Sequence, residues 1–355
     1  MSLDQFSAAQ YRFLKDYLQQ AGSFIQQEIS NRIPLREPRE YLYDLMHDYP
    51  SRGGKKFRSA LVLLSCELFG GKPQDALLTA TAFELFQNFA LIHDDIEDDS
   101  MTRRGKPTLH RLHGIPLALN AGDCMLGLVF ETLMDNESRL GTATTMNLIR
   151  HFNQVIRYTF EGQAMDIGWV SHDKFPTREE YQQMITRKTG WYSGRGPCEC
   201  GALLAGASDE DISWIGRFGE SIGIGFQARD DVLNLIADSE HQAPSAHSGG
   251  YGKEQGGDFE EGKRTLITIE MFERLSSSEA ETLHEILLKP REKNSPEEIE
   301  WAIERAIKTG SIDAVRNYCE SHAEQAYDCL KHLPATPARS LMEELVSFLT
   351  IKREN

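Results

Sequence analysis

Acidic side chains are concentrated at two points of the chain. The run from His93 to Asp99, HDDIEDD, holds five acidic residues in seven positions at the end of an apolar helical segment. A second pair, Asp230 and Asp231, closes another predicted helix far downstream. Asp94 and Asp98 share a helix face, where like charges destabilise a helix by roughly 0.2–0.5 kcal/mol per pair unless a cation intervenes. Carboxylate oxygens suit Mg²⁺, which takes its other ligands from water and phosphate, so we expect a polyphosphate ligand.

Basic residues lie close enough in the sequence to the acidic run to bind the same ligand. Arg103 and Arg104 follow Asp98 by five and six residues, in a predicted loop. Lys55 and Arg58 are three residues apart and share a helix face. Arginine matches phosphate oxygens with a planar pair of donors, and lysine adds a point charge. We interpret Lys55, Arg58 and Arg104 together as a second, metal-free phosphate site, although each residue alone is more typical of a solvated surface.

The composition excludes several classes of function. Lysine and arginine total 38 against 54 aspartate and glutamate, and the net charge is −16, which argues against non-specific binding to nucleic acid or to an anionic membrane. No apolar run reaches about 18 residues, and the N-terminus lacks the apolar core of a signal peptide. The six cysteines show no zinc-like spacing. We therefore expect reduced thiols, no membrane span and a cytoplasmic location.

The spacing of apolar residues predicts an all-α protein. Apolar side chains recur at three- and four-residue intervals, as in Leu61, Leu64 and Leu68, and no two-residue alternation competes with this pattern. The segment 295–298, SPEE, has the serine, proline and glutamate of a helix start with a capping box. With no tandem repeat and no clear linker, we predict one bundle-like domain over residues 1–355, built from about ten or more helices.

Two segments depart from the helical pattern. Residues 239–257 are polar and rich in Gly, Ser and His, and we interpret them as a loop and a candidate lid. Pro197 lies among several glycines inside an otherwise helical segment, so we expect that helix to bend near Lys188 and Thr189 and to free local carbonyl groups. A bend beside a lysine is typical of a ligand site, but a purely structural bend is equally consistent with the pattern.

Taken in order, these motifs resemble those of the trans-isoprenyl diphosphate synthases, the polyprenyl synthetase family of helical enzymes. The similar segments are GGKKFR at 53–58, LIHDDIEDDS at 91–100 with RRGKP at 103–107, KTG at 188–190, GFQARDD at 225–231, and GK at 252–253 continuing to EGK at 261–263. Several ordered motifs are far more specific than one Asp-rich run. The resemblance implies an antiparallel, single-domain helix bundle with a central cavity, of the isoprenoid synthase type.

The resemblance also implies an activity and a set of roles. The reaction is the condensation of isopentenyl diphosphate with an allylic diphosphate, aided by three Mg²⁺ ions, in a homodimer. The implied Mg²⁺ ligands are Asp94, Asp98 and Asp230, supported by Asp95, Asp231 and Asn234. The residues implied to bind the allylic diphosphate are Arg103, Lys188, Lys253 and Lys263. Those implied to bind isopentenyl diphosphate are Lys55, Arg58, Gln87 and Arg104. The residues implied to line the carbocation path are Thr189 and Gln227, which join Lys188, Asp94 and Asp230 as the expected catalytic residues.

The sequence departs from the family pattern at two of these positions. Gln87 stands where other members carry histidine, and Asn234 ends the second acidic motif where many members have aspartate. The second change could weaken one metal contact. Short-chain geranylgeranyl enzymes of similar type tolerate it.

Product length is a steric question. Each added isoprene unit buries five carbons, worth roughly 3–4 kcal/mol, so affinity alone favours ever longer chains and a wall must stop growth. Phe89 and Ala90 lie five and four residues before Asp94, where a bulky side chain closes the tail pocket in similar enzymes. This pattern resembles producers of geranylgeranyl diphosphate, with farnesyl diphosphate as the alternative product. Phe86 and Phe83 could reinforce the floor, but a simple core position for Phe89 stays open.

Other functions fit the sequence less well. The segment 257–264, GDFEEGKR, superficially matches a P-loop, but arginine replaces the Ser or Thr that binds magnesium and no strand precedes it. The first acidic run lacks the glycine and the glutamate of an EF-hand. A class I terpene cyclase would share the fold and one Asp-rich motif, but it would not need basic residues for a second diphosphate. A non-catalytic subunit of a prenyl synthase would have no reason to retain both acidic clusters.

Overall fold

The computed structural model describes residues 3–236 and 255–351, with the backbone alone at Asp4 and Ile351. Lys253 and most of the candidate lid, residues 239–254, lie outside the described residues. In the part of the chain that is described, helices follow one another with short connections. The prediction of an all-α fold is therefore confirmed.

The α-helices are α1 (Leu14–Arg32), α2 (Asp44–Ser51), α3 (Phe57–Leu68), α4 (Pro73–Glu97), α5 (Leu109–His113), α6 (Ile115–Met134), α7 (Glu137–Leu140), α8 (Thr142–Ser171), α9 (Arg178–Ile185), α10 (Gly196–Leu204), α11 (Asp209–Leu235), α12 (Gly257–Glu260), α13 (Leu266–Phe272), α14 (Ser277–Leu288), α15 (Pro296–Lys308), α16 (Ser311–Lys331) and α17 (Pro337–Val346). Shorter π-helical segments are Arg39–Tyr43, Thr186–Arg195 and Ser347–Ile351. Single 3₁₀ turns are Leu3–Gln5, Ala8–Gln10 and Arg291–Lys293.

The predicted loop after the first acidic run is instead a small hairpin. Strands β1 (Thr102–Arg103) and β2 (Lys106–Pro107) pair antiparallel. The two residues between them, Arg104 and Gly105, have φ of 53° and 73°. Positive φ at both central residues is typical of the two-residue turns that match the twist of paired strands. Strands of two residues are too short to produce an alternating pattern, so no periodicity in the sequence marks them.

Helix α4 runs through the larger of two apolar cores. It is 25 residues long, begins at Pro73 in its first turn, and buries most side chains from Ala76 to Ile92. A second core joins α9, α13, α14, α15 and α16. Helix α11 contributes Phe218 to the first core and Val232 to the second. The two acidic clusters thus lie at the ends of two long, well-packed helices, while the single domain over residues 1–355 stays a prediction.

Helix α6 is apolar enough to resemble a membrane span. Within the segment Ile115–Leu140, an 18-residue window has a mean hydropathy of 1.3, and 44% of that window is buried. Helix α6 packs along α4. The core helix of a soluble protein has the same length and composition, so this segment is weak evidence for a membrane span.

Two local predictions are confirmed. Ser295 begins α15 with a complete capping box, in which its side chain accepts from the Glu298 N–H and the Glu298 carboxylate accepts from the Ser295 N–H. All six cysteines are unpaired, and five of them are buried. Burial raises the pKa of buried thiols such as Cys66, to about 12, which keeps them unreactive.

The predicted bend at Lys188 and Thr189 is a π-helical segment. Thr186–Arg195 connects α9 to α10, which has Pro197 in its first turn. Glycines at its contacts allow this segment to pack closely against the neighbouring helices. A methyl group on Gly194 would lie 1.8 Å from the carbonyl oxygen of Gly219, and one on Gly162 would lie 2.2 Å from the backbone nitrogen of Lys188. The glycines therefore let α8 and α11 approach the bent segment closely.

Replacement of Gly194 by alanine should destabilise the protein. We expect Gly194→Ala to lower the free energy of unfolding by about 1–3 kcal/mol, the usual effect of overpacking a tight contact. Gly127→Ala in α6 is the matched control, since nothing lies within 4 Å of the added methyl group, and it should be neutral or stabilising by about 0.5–1 kcal/mol. Equilibrium unfolding in urea measures both, and equal values for the two variants would contradict the packing assignment.

Candidate active site

The first acidic cluster lies at the C-terminal end of α4. The side chains of Asp94 and Asp98 are 25% and 14% exposed, whereas that of Asp95 is fully buried. This difference follows from the helical period, which puts residues four apart on one face and their neighbours on another. The predicted shared face of Asp94 and Asp98 is therefore present, and Asp95 lies in a different environment.

Asp95 is held by two side chains. The Arg103 guanidinium donates to its carboxylate through Nε at 3.1 Å and through Nη2 at 2.5 Å, and the Tyr49 hydroxyl donates to the other oxygen at 2.5 Å. Arg103 Nη2 also lies 3.5 Å from Asp94 Oδ2. Burial lowers the pKa of Arg103, but Asp95 outweighs it and leaves the pKa raised. Asp95 thus orients Arg103 in this structure, and its support of a metal ion stays a prediction.

The second acidic cluster lies at the end of α11. The buried carboxylate of Asp231 accepts from Gln227 Nε2 at 2.9 Å and lies 3.4 Å from the Tyr181 hydroxyl. Burial and the nearby charge of Asp258 raise its pKa to about 7, despite the hydrogen bond from Gln227. Asn234 is fully buried, and its Oδ1 accepts from the backbone N–H of Asp258 at 3.1 Å. The cluster therefore has more negative charge than its surroundings compensate, and a bound cation would relieve this.

Two lysines link the first cluster to the rest of the site. Lys263 Nζ lies 2.6 Å from Asp98 Oδ2 and 2.8 Å from Glu261 Oε2. Lys188 Nζ lies 2.5 Å from Asp166 Oδ2. Burial lowers the pKa of both lysines. The surrounding carboxylates, including Asp94, raise it by more, so the pKa of each lysine lies above its ordinary value. Both lysines are therefore charged, and the ion pair of Lys263 with Asp98 joins the segment after α12 to the end of α4.

The residues present fit Mg²⁺. Both clusters offer carboxylate oxygens, which are the hard ligands that this ion prefers. In residues 3–236 and 255–351, no three His, Cys, Asp or Glu side chains form a ready-made metal site. Magnesium usually takes only one or two carboxylates and completes its shell with other oxygen ligands.

A separate basic region lies beside the hairpin. Arg104 Nη1 donates to the carbonyl oxygens of Tyr49, at 3.3 Å, and Gly53. Burial lowers the pKa of Arg104, the nearby carboxylate of Glu84 raises it, and the charges of Arg103, Arg52 and Arg58 lower it further, so the pKa is lowered overall. A protein with a net charge of −16 therefore gathers several arginines in one place, as an anion site requires.

The predicted partners of Arg104 include groups that lack a hydrogen bond. Arg58 Nη2 donates to the Tyr192 hydroxyl at 2.8 Å and to Ser193 Oγ at 2.7 Å. In the described part of the chain, Arg58 Nε and Gln87 Oε1 are buried and have no hydrogen-bond partner. Other buried side chains, such as Ser59 and Thr79, share this feature, so it does not by itself mark a ligand site. Lys55 Nζ lies 4.7 Å from the centre of the Phe348 ring, at the C-terminal end of the described chain.

The polar groups expected on the carbocation path are adjacent. Thr189 is buried in the π-helical segment, and its Oγ1 lies 3.4 Å from Gln227 Oε1. The same Gln227 amide donates through Nε2 to Asp231. The hydroxyl, the amide and the second acidic cluster thus form one connected set.

Aromatic side chains surround the predicted floor of the tail pocket. Phe89 is buried, and its ring centre lies 5.6 Å from that of Phe86 and 5.9 Å from that of Phe160 on α8. Phe83 lies deeper on α4 and contacts Phe152, with 4.5 Å between ring centres. Ala90 is half-buried. The aromatic wall is present, and its effect on product length stays a prediction.

Sequence analysis did not identify Tyr49, Asp166, Tyr192 or Ser193. Each contacts a predicted site residue from another element, and nothing in local spacing marks them. Asp166 is one of two acidic residues in α8, and its ion pair with Lys188 appears only in the folded chain. Lys253, expected on the allylic diphosphate, lies outside the described residues.

Known proteins resemble the chain over almost its whole length. The short chain isoprenyl diphosphate synthase of Methanothermobacter thermautotrophicus is 33% identical over 342 residues, covering 96% of this chain and 98% of that protein. The crystal structure of geranylgeranyl pyrophosphate synthetase from Pyrococcus horikoshii has a TM-score of 0.83 at 33% identity, covering 96% of this chain and 98% of that one. A geranylgeranyl pyrophosphate synthase from Corynebacterium glutamicum, complexed with isoprenyl diphosphate and magnesium, has a TM-score of 0.82 at 25% identity, with 99% of each chain covered.

The family comparison agrees with the site. The model of the polyprenyl synthetase family matches residues 39–306, a region that contains both acidic clusters, the hairpin and the π-helical segment. The chain belongs to the polyprenyl synthetase family.

Proposed function

We propose that this protein condenses isopentenyl diphosphate with an allylic diphosphate in a Mg²⁺-dependent reaction, with geranylgeranyl diphosphate as the main product. The observation that supports this most is the presence of two distinct anion sites. One has carboxylates with Lys188, Lys263 and Arg103, and the other has arginines without a carboxylate cluster. A reaction that joins two diphosphates needs two such sites.

Ionisation of the allylic diphosphate requires that the charge on the leaving group be neutralised. Three magnesium ions, with substrate bound, would supply Lewis-acid stabilisation of the departing pyrophosphate. Lys188, Lys263 and Arg103 are held by carboxylates before any substrate binds. Preorganised charges in a partly buried site stabilise developing charge without reorganising during the reaction. Lys253 is proposed to join them.

The allylic cation must meet an alkene before it meets water. Thr189 Oγ1 and Gln227 Oε1 present oxygen lone pairs beside the second acidic cluster and are proposed to stabilise the cation. Lys55, Arg58, Arg104 and Gln87 would orient isopentenyl diphosphate, with Gln87 donating from its side-chain amide N–H₂ group to a phosphate oxygen. The alkene of isopentenyl diphosphate attacks the cation, a new carbon–carbon bond forms, and a proton leaves to the departing pyrophosphate.

The wall formed by Phe89, Phe86 and Phe160 is proposed to limit the length of the product. The similar enzyme from Pyrococcus horikoshii is a geranylgeranyl pyrophosphate synthetase, which supports the same product length here. Farnesyl diphosphate is the alternative product, with nothing that specifically supports it. A class I cyclase or a silent subunit would have no use for the separate basic region beside the hairpin.

We also propose that two copies form a homodimer in the cytoplasm. Helices α6 and α8 pack together and leave a set of large apolar side chains exposed: Ile115, Leu119, Met134, Met146, Phe160 and Ile167. Exposed apolar side chains on two neighbouring helices support an interaction surface here. A second copy is the proposed occupant, and a molecular mass of one chain in solution would contradict it.

The first test is a product assay. We expect the purified protein with Mg²⁺ and isopentenyl diphosphate to extend dimethylallyl, geranyl or farnesyl diphosphate to geranylgeranyl diphosphate, with products resolved by chain length. Omission of Mg²⁺ should stop the reaction. No condensation with any of the three primers would disprove the proposed function.

Removal of the Asp94 carboxylate should abolish turnover without unfolding the protein. We expect Asp94→Ala to reduce kcat by about 10³-fold, the scale seen when one preorganised electrostatic group is lost. Its thermal unfolding should change little because the side chain is partly exposed. Asp75→Ala, in the first turn of the same helix and paired with Arg139, is the control and should keep full activity. Near-normal turnover by Asp94→Ala would overturn the metal assignment.

Replacement of Phe89 by alanine should lengthen the product. Loss of the ring opens the aromatic wall, so we expect products at least one isoprene unit longer than those of the unmodified enzyme. Phe6→Ala is the matched control, because Phe6 is equally buried but packs against Tyr11 and Tyr17 near the N-terminus. Chromatography of the prenyl products distinguishes the outcomes, and an unchanged chain length in Phe89→Ala would assign Phe89 to the core alone.

A further inference from the structure

Tyr49 is a buried side chain that contacts both arginines of the hairpin by different routes. It lies in the last turn of α2 and is 1% exposed. Its hydroxyl donates to Asp95 Oδ2 at 2.5 Å and accepts from the backbone N–H of Leu109 at 3.3 Å. Its backbone carbonyl oxygen accepts from Arg104 Nη1 at 3.3 Å. The hydroxyl thus contacts the carboxylate that pairs with Arg103, and the backbone carbonyl oxygen contacts Arg104.

The hydroxyl controls the orientation of the Asp95 carboxylate. Arg103 contacts both oxygens of this carboxylate, through Nε at 3.1 and 3.2 Å and through Nη2 at 2.5 Å. The terminal torsion of an aspartate has a broad energy minimum, so its rotation is set by its hydrogen bonds. Within residues 3–236 and 255–351, the tyrosine hydroxyl is the donor to this carboxylate that does not belong to Arg103. Without it, the carboxylate and the guanidinium can turn together.

The backbone of the hairpin is held independently of this hydroxyl. Arg52 Nη1 donates to the Arg103 carbonyl oxygen at 3.0 Å, and Arg52 Nη2 donates to that of Pro107 at 2.8 Å. The guanidinium of Arg52 also lies 4.6 Å from the centre of the Tyr49 ring. Removing the hydroxyl alone therefore leaves the ring, the Arg52 contacts and the Arg104 contact in place.

We propose that Tyr49 is a positioning residue for the allylic diphosphate, acting through Asp95 on the guanidinium of Arg103. Tyr49 does not itself contact the substrate. The inference rests on the proposed function, since it deepens the role given there to Arg103. Loss of the Tyr49 hydroxyl should therefore affect the two substrates differently. Binding of the allylic diphosphate depends on the hydroxyl, whereas binding of isopentenyl diphosphate depends on the Tyr49 backbone.

The test is Tyr49→Phe, compared with Tyr17→Phe. Tyr17 is also buried, and its hydroxyl also donates to a carboxylate, that of Glu67 at 3.2 Å, far along the chain from the acidic clusters. We expect Tyr49→Phe to raise the KM for geranyl diphosphate about tenfold, a scale consistent with losing a hydrogen bond to a charged group. The KM for isopentenyl diphosphate should stay within about twofold. Tyr17→Phe should change neither constant.

A binding measurement decides the inference even if the protein proves inactive. Calorimetry follows the Mg²⁺-dependent binding of inorganic pyrophosphate to the unmodified protein, Tyr49→Phe, Arg103→Lys and the double variant. If Tyr49 acts through Arg103, its substitution weakens binding about tenfold alone and adds almost nothing in the Arg103→Lys background. Additive losses, an equal rise in both KM values, or binding unchanged in Tyr49→Phe would overturn the inference.

Thermal unfolding of each variant precedes these measurements. If Tyr49→Phe does not fold, Tyr49→Leu is the second variant, because it also removes the hydroxyl and keeps the backbone carbonyl oxygen that accepts from Arg104. It should show the same selectivity for the allylic substrate, and equal effects on both substrates would again overturn the inference. Absence of condensation by the unmodified protein would count against the proposed function alone, since pyrophosphate binding is measured separately.

Discussion

The repulsion between carboxylates brought to one place is the physical constraint on which the site depends. Asp94 and Asp98 end one helix, and Asp230 and Asp231 end another, so folding gathers negative charge that an isolated helix would avoid. Lys263 and Arg103 offset part of it by ion pairs with Asp98 and Asp95. Burial, together with the nearby charge of Asp258, raises the pKa of Asp231 to about 7 and so disfavours its charged form. In the proposed function, cations bound with the substrate would offset this charge, and their binding would stabilise the folded site.

The helices tolerate the repulsion between these carboxylates because the rest of each helix is well packed. Helix α4 is buried from Ala76 to Ile92 before it reaches the acids. Helix α11 approaches the π-helical segment through paired glycines, Gly219 and Gly194, which admit backbone where side chains would clash. Burial of large apolar surfaces outweighs the few kcal/mol that unfavourable charge pairs cost. The well-packed part of each helix thus holds its acidic end in position.

The sequence predicted what depends on local periodicity and missed what depends on distant contacts. The all-α fold, the bend near Lys188 and the shared face of Asp94 and Asp98 all follow from spacing. The pairing of Tyr49 with Asp95, 46 residues away, and of Asp166 with Lys188, 22 residues away, does not. Asp94 and Asp95 are identical in type and adjacent, so only the folded structure distinguishes the partly exposed carboxylate from the buried one. The hairpin was missed because its strands have two residues each.

The two-residue turn of the hairpin has a consequence for how the two anion sites are related. Arg103 and Arg104 are consecutive, so their Cα atoms are separated by one peptide unit, about 3.8 Å. Arg103 pairs with Asp95 on one side, and Arg104 bonds to the carbonyl oxygens of Tyr49 and Gly53 on the other. In the proposed function, the hairpin would therefore fix the distance between the two diphosphate groups. An insertion in its turn would displace Arg103 and Arg104 together, whereas a substitution in the aromatic wall, on earlier turns of α4, would leave their spacing unchanged.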